Sequence, residues 1–176
     1  MDQLQFDDRL FQRGQTWHEC LQAWLSERAD FLNKVLEKNA MEQTIEKLRC
    51  IPRGTRIAVF YSLWTLDSAK SLPFIGPSLE KVPQLEVRYF SQELFFSITY
   101  GILGRQAPRI LLLDEDGKIK RSWGPRPPKI TEELQGLSAS EVDERLLQYQ
   151  EAQFLDALDH SVVESLFPAE EDRPQS

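Results

Sequence analysis

Residues 57–73 read IAVFYSLWTLDSAKSLP, and the fold turns on how they are understood. Ile57 to Tyr61 are apolar and β-favouring with no polar alternation, the pattern of a strand covered on both faces. Trp64 closes that run. Thr65 to Ser68 form a short polar turn, and from about Leu66 to Val82 the apolar residues recur at helical spacing. Pro73 and the Gly76-Pro77 pair each remove an amide donor from that helix, so a kink or a break is expected there.

Working outward, LEVRYF (85–90) alternates as a second strand. Strand, helix, strand in that order calls for a parallel pair with a right-handed crossover. Next, SQELFFSITYG (91–101) reads as a short helix ending by Gly101. In APRILLLDEDGKIKRSW, strands over about 109–113 and 118–123 flank Asp114 to Gly117, whose Asp-Gly pair supplies the positive φ of a hairpin turn. Parallel and antiparallel pairs together make a mixed sheet, with helices expected on both faces.

Upstream, Trp17, Cys20, Leu21, Trp24, Leu25, Phe31, Leu32, Val35 and Leu36 follow helical spacing, and Thr16 with Glu19 forms a capping box. A long or once-broken helix to about Glu37 is expected, then a short one near Met41 to Leu48, stopped by IPRGT. Downstream, GPRPPKI reads as a proline-stiffened loop. Ser138 and Glu141 form a second capping box before one helix carrying Val142, Leu146, Leu147, Phe154, Leu155 and Leu158. The expected organisation is a flexible N-terminus over 1–15, a helical extension over 16–50, an α/β domain over 51–165 and a disordered acidic tail over 166–176.

The chain has 176 residues, 41% hydrophobic and 10% aromatic, enough for one domain with a proper core. Its net charge of -7 argues against nucleic acid as a partner. With no signal-like N-terminus and no long apolar run, a soluble, cytoplasmic protein without a membrane partner is expected. Cys20 and Cys50 are too far apart for a local metal or redox motif, and neither a metal nor another cofactor is expected. His18 and Cys20, two apart on a helix, point to different faces.

The Trp-led turn after the first strand, the proline within the following helix and Ala107-Pro108 directly before the hairpin together resemble the thioredoxin fold. The chain is more specifically similar to a bacterial thioredoxin-like group with a W-C-x-D motif followed by Ser, Ala or Cys, and W-G-P-R-P after the hairpin. Here those motifs read Trp64-Thr65-Leu66-Asp67-Ser68 and Trp123-Gly124-Pro125-Arg126-Pro127 over about residues 56–128. The resemblance implies a role in redox homeostasis, a cis-proline at Pro108 facing the turn, and a binding surface for extended polypeptide or a small thiol. It assigns the site to Trp64, Thr65, Asp67, Ser68, Ala107 and Pro108, and it leaves the oligomeric state open.

The departure from that group is chemical. Thr65 stands where the attacking sulfur would be, and Ser68 where the resolving one would be. Thiol-disulfide exchange begins with a thiolate, which an alcohol cannot replace. The chain therefore reads as a cysteine-less binding or scaffolding module. The alternative is an oxidoreductase or thiol-binding transferase using Cys50, Cys20 or an exogenous thiol. The two hydroxyls can cap the helix, contact a ligand, or both. Asp67 is either a buried acid or a carboxylate favoured by the helix dipole. Trp64 is either partner surface or packing, and Arg105, Arg109, Arg121 and Arg126 are either an anion-binding edge or a solvated face.

Overall fold

The computed structural model describes residues 5–28, 30–36, 40–96 and 106–169. β1 (Arg56–Tyr61) lies inside a four-stranded sheet of order β2-β1-β3-β4. It runs parallel to β2 (Glu86–Ser91) and antiparallel to β3 (Arg109–Leu113), which pairs antiparallel with β4 (Ile119–Trp123). The sheet is mixed, as expected. Alternation along β1 sends Ile57, Val59 and Tyr61 to one face and Ala58 and Phe60 to the other. All five are buried, which is why the strand reads as an unbroken apolar run. The first set joins Tyr89, Ile110 and Leu112 in the larger core, and the second meets Phe90, Leu111 and Leu113 in a smaller one.

The smaller core is closed from the N-terminal side. α1 (Asp8–Gln12) is a single turn capped by Asp7, and the chain around it straps across the sheet. Gln15 exchanges backbone hydrogen bonds with Tyr89, and the Phe6 amide donates to the Gly117 carbonyl at 2.7 Å. The Phe6 ring meets Phe60 and Phe90 edge-on at 5.9 and 5.7 Å. Residues 5–15, expected from the sequence to be a flexible N-terminus, pack here through Phe6 and Phe11, whose burial completes a face the sheet would otherwise leave open. Residues 1–4 lie outside the described residues.

The larger core carries the helices. α2 (Trp17–Glu27) starts at the Thr16–Glu19 capping box and ends where Arg28 turns extended. α3 (Phe31–Leu36) follows, so the expected helix is broken once, with Trp24 stacked on Phe31 at 4.4 Å across the break. α4 (Glu42–Arg49) gets no side-chain cap from its own Met41. Instead the buried Asp159 carboxylate accepts from the amides of Gln43 and Thr44 and from the Thr44 hydroxyl. α5 (Leu66–Glu80) runs unbroken through Pro73 and Pro77, correcting the break expected at Gly76-Pro77. Lying four apart, the two prolines concentrate the missing amides on one side of the helix and leave the other bonds intact.

The helix expected over 91–101 is corrected at its start, since Ser91 ends β2 and the chain turns at 92–95; residues 97–101 lie outside the described residues. The β3–β4 hairpin closes on Gly117 at φ +78, with Asp114 accepting from the amides of Asp116 and Lys118. GPRPPKI is only partly a loop, since Pro127 caps and Pro128 opens α6 (Pro128–Glu133), where a proline lacks no needed donor. The single helix expected after Ser138 is two, α7 (Ala139–Gln148) and α8 (Glu151–Leu166), separated by extended Tyr149 and Gln150. The reason lies in spacing. Val142, Leu146, Phe154, Leu158, Val162 and Leu166 keep a four-residue spacing, which on one straight helix would wind their stripe by about 240°. A break resets the apolar face toward the core. The tail beyond 169 lies outside the described residues.

Candidate active-site turn

The turn leaving β1 is built by hydroxyls. Thr65 is extended at φ -95 and ψ 137 and caps α5, its Oγ1 accepting from the Ser68 amide at 3.3 Å. The Thr65 hydroxyl proton faces Ser68 Oγ at 2.8 Å and the Ala107 carbonyl at 3.4 Å. Ser68 Oγ in turn accepts from the Ser62 amide at 3.1 Å. The capping expected for Thr65 is thus present. The same hydroxyl also reaches across to the segment before β3, where the Ala107–Pro108 peptide bond is cis, as is Gly124–Pro125.

Asp67 is the buried acid of the first helical turn, only 8% exposed. Arg126 Nη2 donates to its Oδ2 at 2.7 Å. Burial pushes the Asp67 carboxyl upward from its ordinary range, the bond and charge of Arg126 pull it down, and Asp143 adds an upward push. The net shift is upward, so desolvation outweighs the ion pair, as it can when charges leave water. Asp67 Oδ1 and Arg126 Nε are both buried without a hydrogen-bond partner among the described residues.

Gly124 makes this approach of β4 to β3 feasible. At φ +126 it occupies backbone space that side chains rarely adopt, and an added Cβ would stand 2.2 Å from the Pro108 carbonyl oxygen. Between these walls an open pocket of about 630 Å³ is lined by Thr65, Asp67, Ala107, Gly124, Arg126 and Glu132, among others. Trp64 stands outside it at 70% exposure, so it does not contribute to the core. Ser68 and Pro108 are buried behind the wall.

Sequence reasoning missed a second device beside the turn. Glu93 accepts from Ser62 Oγ at 2.6 Å and from Ser91 Oγ at 2.8 Å, clasping the ends of β1 and β2. The two serines in turn accept from the amides of Trp64 and Leu94. Only the parallel register, which sets Tyr61 beside Ser91, reveals that pairing.

Neither thiol bonds a residue of the turn among the described residues. Cys50 ends α4, six residues before β1, and its Sγ donates to the Glu46 carbonyl at 3.4 Å. Cys20 is fully buried, and burial pushes its thiol up to about 12. The three described arginines each have a separate partner: Arg126 holds Asp67, Arg109 donates to Gln106 and Arg121 donates to the neighbouring Lys120 carbonyl, while Arg105 lies outside the described residues. No group of three metal-ligating side chains occurs among the described residues. Nor is any described helix long and apolar enough to cross a membrane.

A mixed sheet with a helix entered from β1, and a cis-proline segment facing that entrance, defines a thioredoxin-like α/β domain, here with hydroxyls at the helix entrance. The chain belongs to the thioredoxin family whose model, Thioredoxin_9, matches residues 14–141. That match takes in α2, α3 and α4 as well as the sheet. Among solved structures, an HIV epitope-scaffold is similar at 17% identity and a TM-score of 0.56, covering 88% of this chain and 95% of its own. A protein of unknown function from Pseudomonas aeruginosa is similar at 18% identity and a TM-score of 0.53, covering 85% of this chain and 95% of its own. Both likenesses concern the fold. No curated protein matches the chain.

Proposed function

We propose that this chain is a cysteine-less thioredoxin-like binding module that holds extended polypeptide against Ala107 and Pro108 and does not exchange dithiols for disulfides. The observation that carries the reading is the approach of Thr65 Oγ1 to the Ala107 carbonyl on the wall of an open pocket. That convergence supports Trp64, Thr65, Asp67, Ser68, Ala107 and Pro108 as one binding site. Main-chain bonding to an extended segment needs no sulfur. The placing of Cys20 and Cys50 speaks against an oxidoreductase that draws on its own thiols. Kinship with the bacterial group bearing W-C-x-D and W-G-P-R-P motifs is part of the same proposal and rests on Trp64 to Ser68 and Trp123 to Pro127.

Two measurements test it. Photoreactive groups placed at Thr65 or Ala107 are expected to capture polypeptide, whereas the same group on the remote face at Lys47 does not; the reverse pattern overturns the site. In insulin reduction the wild type is expected to be inactive, matching Cys20→Ser and Cys50→Ser. Thiol-dependent turnover lost in either variant would establish the oxidoreductase reading instead.

A further inference from the structure

We propose that the pocket beside Thr65 selects a basic side chain of the bound polypeptide, received between Glu132 and Asp67. This rests on the binding reading above and adds to it the chemistry of the ligand. Two observations lead to it. First, the charged residues lining the pocket are two carboxylates, Asp67 and Glu132, against one guanidinium, Arg126. Second, Arg126 already donates to Asp67 Oδ2, which leaves one carboxylate of the pocket unmatched by a cation, with Asp67 Oδ1 and Arg126 Nε both keeping unmet capacity.

Glu132 completes the argument. It is exposed on α6, lines the same pocket, and its carboxylate has no hydrogen-bond or ion-pair partner among the described residues. A lysine or arginine extended along Ala107 supplies the missing positive charge: its head meets Glu132 at the mouth and its apolar stem lies along Gly124 and Pro125. An acidic side chain would instead face two carboxylates across a gap that only Arg126 offsets. The overall charge of -7 adds a long-range attraction for such a partner.

The test uses the full chain and a pool of blocked, unstructured peptides of randomised sequence. Recovered peptides are expected to be enriched in Lys or Arg at one fixed position. Glu132→Gln should lower the preference for Lys over Met at that position by about fivefold, and Glu132→Lys should shift it toward acidic residues. The preference should weaken as salt is raised. Binding with crosslinks at Ala107 but no basic preference, or a preference unmoved by both Glu132 variants, overturns this inference and leaves the binding reading standing. No recovery of any peptide, with no crosslink at Ala107, overturns both.

Discussion

Supplying the turn with sulfur tests whether the scaffold around it is intact. In a Cys50→Ser background, Thr65→Cys with Ser68→Cys places two thiols where hydroxyls now stand 2.8 Å apart. A disulfide needs about 2.05 Å between sulfurs, and the longer carbon–sulfur bonds close the gap. The outer thiol then sits at the N-terminus of α5, a helix of 15 residues, and Arg126 neutralises much of the Asp67 charge that would oppose its ionisation. Helix N-termini lower a thiol from about 8.5 to about 7, which is roughly 2 kcal/mol in favour of the thiolate. At neutral pH that raises the ionised fraction from roughly 3% to roughly 50%. Ultraviolet absorbance of the thiolate against pH reads the shift directly, and Cys20 stays silent because burial holds it near 12. The double variant should close its disulfide under mild oxidation and gain insulin reduction. A new thiol that titrates at its ordinary value, or a pair that fails to close, would refute the view of the turn as a redox site lacking only its sulfur.

Three further outcomes follow from the packing and the charges. Asp159→Ala removes three hydrogen bonds from the entrance of α4 inside the core, and should cost about 3 kcal/mol, or about 6 to 12 °C in melting temperature, with Asp159→Asn losing less. Denaturant unfolding at constant slope checks this. Because burial raises the Asp67 carboxyl from its ordinary 3.8, the native state holds that proton more tightly than the unfolded chain. Its contribution is therefore most favourable at low pH and is lost as pH rises from about 3.8 through the raised native value; Asp67→Asn should remove that decline from the difference between the two stability-pH curves. Phe6→Ala empties a fully buried aromatic site in the smaller core and should cost about 3 to 5 kcal/mol by denaturant unfolding.

What the sequence made legible was local and periodic. The apolar run of β1, both capping boxes, the Asp-Gly hairpin and the helix after Trp64 each announce themselves within a few residues, and each is present. Pairings remote in sequence were not legible. Asp159 caps a helix 115 residues away, and Glu93 clasps Ser62 only because β1 and β2 are parallel in one register. The packing of the N-terminal strap was not legible for a related reason: MDQLQFDDRLFQRGQ is too polar to show a periodic face, yet its Phe6 and Phe11 join the smaller core. Around the turn, the bond from Thr65 to the Ala107 carbonyl and the ion pair of Arg126 with Asp67 are likewise contacts between segments remote in sequence.

The strap also imposes a timetable on synthesis. Phe6 is made early, but its ring partners Phe60 and Phe90 and its backbone partner Gly117 leave the ribosome much later. Until β2 emerges, the strap lacks Phe90 and Tyr89, and until the hairpin emerges it lacks Gly117, so the aromatic underside of β1 and β2 is covered in stages. A growing chain thus carries this aromatic face partly uncovered for an interval of its synthesis, in which non-native association competes with docking of the strap.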